Sequence, residues 1–342
     1  MTDDLEPIDP HDAIEWYLED KRDEYSDSTV EAQSYRLAIF ADWLVDERDI
    51  ENLNEITGRD LMRYKTWRGQ NLAKASLKGQ LATVRVFLRW SSQIDAVPER
   101  LYEKVQLPTM GKSEGSRDVM VDGDEARQIR AYLSEFRYAS LWHTYVELLL
   151  SGLRVGSIHS LDVPDYDPEE QSLQVVHRPE TGTTLKNGEE AERKIAITDK
   201  AATVIDDWLA HQRPDVEDDY GREPLLATSQ GRAAKQTLRS ISYKITRPCF
   251  YSSECPDDRE IESCEARVRG GDSANKCPSS KSPHPWRRGT ITRMLRKTDA
   301  PDRAVSGRFD VAPDVIDKHY DRRSEEEKME SRRKWAEDLD EE

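Results

Sequence analysis

Five side chains with the right chemistry for handling a phosphate lie far apart in this chain. His284-Pro285-Trp286-Arg287 places a histidine and an arginine at i and i+3, a spacing that puts both on one face at the start of a helix. Tyr320 follows about thirty residues later. If the pair grips a phosphate, the phenol is the natural group to attack it. Upstream, Arg154 comes just after an apolar run, Leu141 to Ser151, that stops at Gly152, a common helix terminator. Lys186 sits in Leu185-Lys186-Asn187-Gly188, between two apolar runs. Each residue also has a plain reading. Arg154 could cap the preceding helix through its last carbonyls. Lys186 could be solvated in an Asn-Gly turn, with Lys194 as a rival for any role. Tyr320 could be an ordinary member of an amphipathic helix. The joint order says more than any one of them.

In that order Arg154, Lys186, His284-x-x-Arg287 and Tyr320 resemble the catalytic half of the tyrosine recombinases, the integrases of phages, plasmids and chromosomes. The resemblance covers nearly the whole chain, with its motifs between Gly152 and Tyr320. It implies site-specific DNA recombination by strand cleavage and rejoining, with Tyr320 becoming a 3′-phosphotyrosyl and neither metal nor ATP taking part in the chemistry. Arg154 and Arg287 would neutralise the transition state as two guanidinium forks. Lys186 would protonate the leaving 5′ oxygen, and His284 would hydrogen-bond the phosphate or take the phenol proton. Double-stranded DNA as partner, a homotetramer on two DNA sites and a Holliday intermediate are implied with it. Two departures matter. Ser157 stands where the family often has an acidic residue three after the first Arg. Gly307-Arg308-Phe309 replaces the usual Gly-His pair and lies farther from Tyr320 than usual, leaving Arg308 or His319 as auxiliary candidates. That departure supports a rival from another class, a cleavage-deficient DNA-binding regulator or architectural protein on the same fold. A relaxing topoisomerase of related chemistry is a third reading.

The elements that must position these residues read as two parts. Residues 1–110 are expected to be all-helical. A helix after Asp9-Pro10 carries Ile14, Tyr17 and Leu18. A second is capped by Ser26-Asp27-Ser28 and carries Ala32, Tyr35, Ile39, Phe40, Trp43 and Leu44 at three-to-four spacing. A third, from Ile56-Thr57, carries Leu61, Tyr64 and Trp67. In a fourth, Lys74 to Ser92, the residues Leu77, Leu81, Val84 and Leu88 share one face at about 100° per residue. Lys74, Lys78, Arg85 and Arg89 share a neighbouring arc, which would offer cations to a phosphate backbone. This part looks like the helical, SAM-like core-binding domain that accompanies recombinase catalytic domains. A polar linker spans 111–117, and residues 118–342 turn to a mixed α/β pattern. There Leu173–Val176 and Arg193–Thr198 read as strands of a small hairpin with Lys186 near its tip, Asp199 caps a helix through Leu209, and 233–247 form another. The expected fold is mainly α with a small antiparallel β-sheet: a helical N-terminal domain plus a mixed α/β catalytic domain.

Charge and cysteine usage set the surroundings. Charged residues make up 35% of the chain and the net charge is −17, which by itself argues against a nucleic-acid partner. Between Lys281 and Arg303, however, seven basic residues face two acidic ones. A basic island in an acidic chain is placed charge, and Arg288 and Arg293 join the expected DNA contacts. The general acidity then reads as a halophilic adaptation. The absence of a long apolar run or signal pattern gives the expectation of a cytoplasmic protein with no membrane partner. Cys249, Cys255, Cys264 and Cys277 lie within twenty-nine residues, in a polar insert spanning about 248–280. In a reducing compartment four thiolates suit a structural zinc; an Fe–S cluster or two disulfides are other options. The spacings are not the tight CxxC pairs of common zinc ribbons. The charged tail, 322–342, carries Met329, Trp335 and Leu339 at near-helical spacing, a stripe that could dock on a partner.

Overall fold

The computed structural model describes residues 5–111, 119–268, 271–298, 300–321 and 323–337; the side chains of Lys318, His319 and Trp335 lie outside that description. The chain divides into two compact units, Met1–Arg117 and Asp118–Glu342. The linker expected at 111–117 lies outside the described residues apart from Gly111.

The first unit packs four helices: α1 (Pro10–Asp20), α2 (Asp27–Arg48), α3 (Gly58–Gly69) and α4 (Lys74–Ser91). Asp9 starts α1 by accepting N–H groups of His11 and Asp12, and Thr57 with Asp60 forms a capping box at α3. The apolar stripe of α4 is buried as its spacing predicts, with Phe87 added to it. Tyr17, Phe40, Tyr64 and Phe87 centre the core: Tyr17 meets Phe87 edge-on at 5.5 Å and Phe40 meets Tyr64 at 4.8 Å. Tyr35, expected in the α2 stripe, is 67% exposed, because Leu37, Phe40, Ala41 and Leu44 already fill the inward face. Lys74, Lys78 and Arg89 are exposed and Arg85 is half-buried, so the basic arc of α4 lies on its outer side. The Arg89 guanidinium lies 5.0 Å from the Tyr102 ring centroid.

The second unit is built around α6 (Leu141–Leu150), behind α5 (Gly123–Phe136). Seven consecutive α6 residues, His143 to Leu149, are buried, the mark of a helix enclosed on all sides. Its buried Glu147 is matched by Arg130, whose Nε donates at 2.6 Å. After α6 come α7 (Val155–Ser160) and a three-stranded antiparallel sheet of β1 (Tyr166–Asp167), β2 (Ser172–Val175) and β3 (Arg193–Ala196), in that order. β2 and β3 pair with Val175 opposite Arg193. The expected tight hairpin is therefore a long excursion, residues 176–192, that carries Lys186. Then follow α8 (Asp199–Asp207), capped by Thr198 rather than Asp199, and a hairpin the sequence did not suggest, β4 (Ala227–Thr228) with β5 (Gly231–Arg232). α9 (Lys235–Ile245) leads into the Cys-rich segment with its short α10 (Pro248–Tyr251) and α11 (Glu265–Val268). The unit ends with α12 (Pro283–Lys297), α13 (Asp302–Phe309), α14 (Pro313–His319) and α15 (Glu325–Glu337). Met329 on α15 is 55% exposed; Leu339, its expected companion, lies outside the described residues.

Two glycines let backbones approach around the candidate residues. A Cβ on Gly289 would stand 1.9 Å from the Val121 carbonyl oxygen, so only glycine lets α12 lie against the segment before α5. Gly152, with φ +82°, ends α6 in the left-handed region, and a Cβ there would stand 2.1 Å from the Phe309 ring.

Candidate active site

Arg154 is delivered by the turn that Gly152 makes, as the extended residue that opens α7. It does not cap α6. Its fork reaches across to the residue after α13: Nη1 donates to the Asp310 carboxylate and Nη2 to the Asp310 carbonyl at 2.5 Å.

Arg287 projects from the first turns of α12, which opens with Pro283 behind Ser282. That start is held by hydrogen bonds. Ser242 Oγ donates to the Lys281 carbonyl at 2.9 Å, Lys281 N donates to Thr246 Oγ1 at 2.7 Å, and Trp286 Nε1 donates to Ser242 Oγ at 3.1 Å. Lys281 Nζ is paired with the buried Glu125 carboxylate at 2.5 Å. Arg287 is 1% exposed; Nη1 donates to the Gly152 carbonyl at 2.8 Å and Nη2 to the Phe309 carbonyl. Burial and then Arg154 pull its pKa down to about 10, which still leaves it charged at neutral pH. Two cations held together in a low-dielectric site repel, and an anion between them relieves that.

His284, one helical turn earlier, remains open to solvent at its side chain. Partial burial, then Arg288, Arg287, Arg154 and Lys186, hold its pKa at about 4. At neutral pH this imidazole is uncharged and able to accept a proton or a hydrogen bond. Its ring centroid lies 6.0 Å from that of Tyr320.

Tyr320 follows the last residue of α14 and is 5% exposed, in a satellite core with Ile291, Leu295, Val305, Phe309, Val311 and Ile316. Thr292 Oγ1 donates to its carbonyl at 2.8 Å, and its side chain is in hydrogen-bonding contact with Arg287. Arg154, His284, Arg287 and Tyr320 therefore meet in one place, as their order in the sequence suggested.

Lys186 is exposed on the 176–192 excursion and is one of the cations that lower the His284 pKa. Its loop is braced from below. Arg178 bonds Asp165 at 2.6 Å; Arg222 bonds Asp218 at 3.0 Å and the Thr181 carbonyl at 2.9 Å; Arg232 bonds Asp218 at 2.7 Å and also Asp162. Leu185 N donates to His177 Nδ1 at 2.9 Å, and Asn187 Nδ2 donates to Asp310 Oδ1 at 2.9 Å. Lys194, the rival to Lys186, pairs with Glu170.

Of the auxiliary candidates, Arg308 donates to the Ala196 carbonyl at 3.0 Å on β3, and the His319 side chain lies outside the described residues. Arg288 is buried, and half-buried Arg293 donates to Thr290 Oγ1 at 3.1 Å. Three site residues escaped the sequence reading: Asp310, Asn187 and Arg193. Arg193 Nη2 is buried with no hydrogen-bond partner among the described residues, and Asp310, Arg154 and Arg308 all bear on its charge. The altered Gly307-Arg308-Phe309 signal pointed at the right turn but one residue short of the one that enters the site.

The four cysteines are free thiols. Two Cys-Pro turns lie side by side, with Ser279 Oγ donating to Asp257 Oδ2 at 2.9 Å. Backbone N–H groups of Ser279 and Ser280 point at the Cys277 sulfur, and Cys249 lies near enough to bear on its charge. Among the described residues no three His, Cys, Asp or Glu side chains stand in metal-binding geometry. No helix among them is long and apolar enough to cross a membrane.

The phage integrase N-terminal SAM-like domain model matches residues 14–93. The N-terminal domain of a phage integrase/site-specific recombinase from Haloarcula marismortui is 35% identical over 30% of this chain and 99% of that one, with a TM-score of 0.29. The Tn1549 transposon integrase in complex with a circular intermediate DNA superposes with a TM-score of 0.66 at 12% identity, over 97% of this chain and 99% of that one. A lambda integrase dimer bound to a COC′ core site gives 0.62 at 13% identity, over 90% and 97%. No curated protein matches the chain in sequence.

Proposed function

We propose that the chain, whose residues 14–93 match the phage integrase N-terminal SAM-like domain and whose fold is that of solved integrases, is a tyrosine-type site-specific DNA recombinase that cuts and rejoins strands through Tyr320. The observation that carries this reading is the meeting of Arg154, Arg287, His284 and Tyr320 in one place. A scissile phosphate bound there is gripped by the two guanidinium groups, which stabilise the charge that builds on its non-bridging oxygens. The Tyr320 phenol oxygen attacks phosphorus as its proton passes to the neutral imidazole of His284. The bond to the 5′ oxygen breaks, and that oxygen takes a proton from the Lys186 ammonium. The 3′-phosphotyrosyl keeps the energy of the broken linkage, so the reverse attack by a 5′ hydroxyl reseals a strand without ATP. Double-stranded DNA is the partner, and a tetramer on two sites is the assembly that exchange of two strand pairs requires. The exposed Lys74, Lys78 and Arg89 of α4 supply backbone contacts from the first unit.

A nicked suicide substrate tests the chemistry. Wild type is expected to form a covalent protein–DNA adduct that Tyr320→Phe abolishes while still binding DNA. Binding without any wild-type adduct would instead identify a regulator on the same fold.

For the Cys-rich segment we propose a structural zinc held by Cys249, Cys255, Cys264 and Cys277. Its support is the donor set itself and the paired Cys-Pro turns; metal binding would have to draw the thiols together, since no three of them stand in metal-binding geometry. Metal analysis of protein purified without chelator should find close to one zinc per chain, released on thiol modification; less than a tenth of that would rule the site out.

A further inference from the structure

Asp310 holds the Arg154 fork that the proposed reaction needs for a phosphate. It follows α13 in the left-handed region, at φ +47°, a conformation that non-glycine residues adopt at a cost. From there its side chain, 14% exposed, engages the fork of Arg154. Its second carboxylate oxygen accepts from Asn187, the neighbour of Lys186, and its carbonyl takes the other Arg154 nitrogen. Half-buried Arg193 also faces its charge. The carboxylate thus makes the contacts that a non-bridging phosphate oxygen would make. The preceding carbonyl, of Phe309, is bonded by Arg287.

We propose that Asp310 is an internal stand-in for the phosphate, a latch that fills the Arg154 fork until DNA displaces it. The proposal rests on the recombinase reading and adds regulation to it. A phosphate and a carboxylate cannot share one guanidinium fork, and their like charges repel at that distance. Arrival of the scissile phosphate therefore expels the Asp310 side chain. The residues from Asp310 to Tyr320 are one short path through α14, so release of Asp310 frees the segment that carries the nucleophile. In the same exchange Asn187 loses its partner and the Lys186 loop is released toward the leaving oxygen. The latch thus keeps the nucleophile and the acid idle until a phosphate is seated between them.

The latch lowers apparent anion affinity by the fraction of molecules that are open. Asp310→Asn and Asp310→Ala are compared with wild type by two measurements, after circular dichroism confirms that both fold. Calorimetric titration with inorganic phosphate needs no cleavage; both variants should bind it roughly tenfold more tightly if about one molecule in ten is open. On the nicked substrate at limiting DNA, both should form adduct several-fold faster. Equal or weaker phosphate binding by the variants overturns the latch. So does slower adduct formation by both, since a residue that positions Arg154 for catalysis gives that result. A wild type that forms no adduct sinks the recombinase reading alone, and the phosphate titration still decides the role of Asp310.

Discussion

At the scale of single residues the site is an arrangement of positive charge waiting for an anion. His284 shows this most directly. Its pKa near 4 lies below the ordinary 6.5, so the folded state resists the proton that the unfolded chain accepts. The sign follows: stability is full above pH 6.5 and falls as the pH drops toward 4, because only the unfolded state binds the proton in that window. Wild type is expected to lose melting temperature faster than His284→Gln between pH 6.5 and 4, measured by thermal scans in low-salt buffer. Parallel profiles would remove the cationic surroundings from the account. The types Arg, Lys, His and Tyr were legible in the sequence because the chemistry requires them. Asp310 was not, since an acid in that position belongs to no motif.

At the scale of elements, two devices aim these side chains. The start of α12 is fixed by Ser242, Thr246 and the Lys281–Glu125 pair, contacts between segments whose separate periodicities say nothing of each other. The Lys186 loop is braced by Arg178, Arg222 and Arg232 against Asp162, Asp165 and Asp218. Burial opposes ionisation of Asp218, but hydrogen bonds from Arg232 and the Arg222 and Tyr220 backbone outweigh it and bring its pKa to about 2. Arg232 is 9% exposed and Asp218 8%, so removal of one partner strands buried charge. Arg232→Met is expected to cost about 3 kcal/mol in urea unfolding and to slow cleavage through the slackened loop; a loss below about 1 kcal/mol would mean the network is not a brace. Helices with one clear stripe, such as α4, were readable at this scale. The 176–192 excursion was not, because an Asn-Gly pair inside a loop does not decide where the strands on either side begin to pair.

At the scale of the whole molecule, a net charge of −17 repels itself within the folded state and repels DNA. Added salt shortens the range of both effects, from about 10 Å at 0.1 M to about 3 Å at 1 M. The melting temperature is expected to rise steadily between 0.1 and 2 M KCl, and DNA binding to persist at salt that dissociates less acidic recombinases. A melting temperature that falls with salt would contradict a halophilic adaptation of the surface. The sequence alone determined the helical content, the order of the reactive groups and the basic island around α12, because these depend on neighbours a few residues apart. The tertiary structure decided what those groups meet. Arg154 and Asp310 are 156 positions apart, and Arg308 turns to Ala196 although its place in the sequence suggested the site. Such partners are chosen by how helices pack and where glycine permits close approach, which no local pattern encodes.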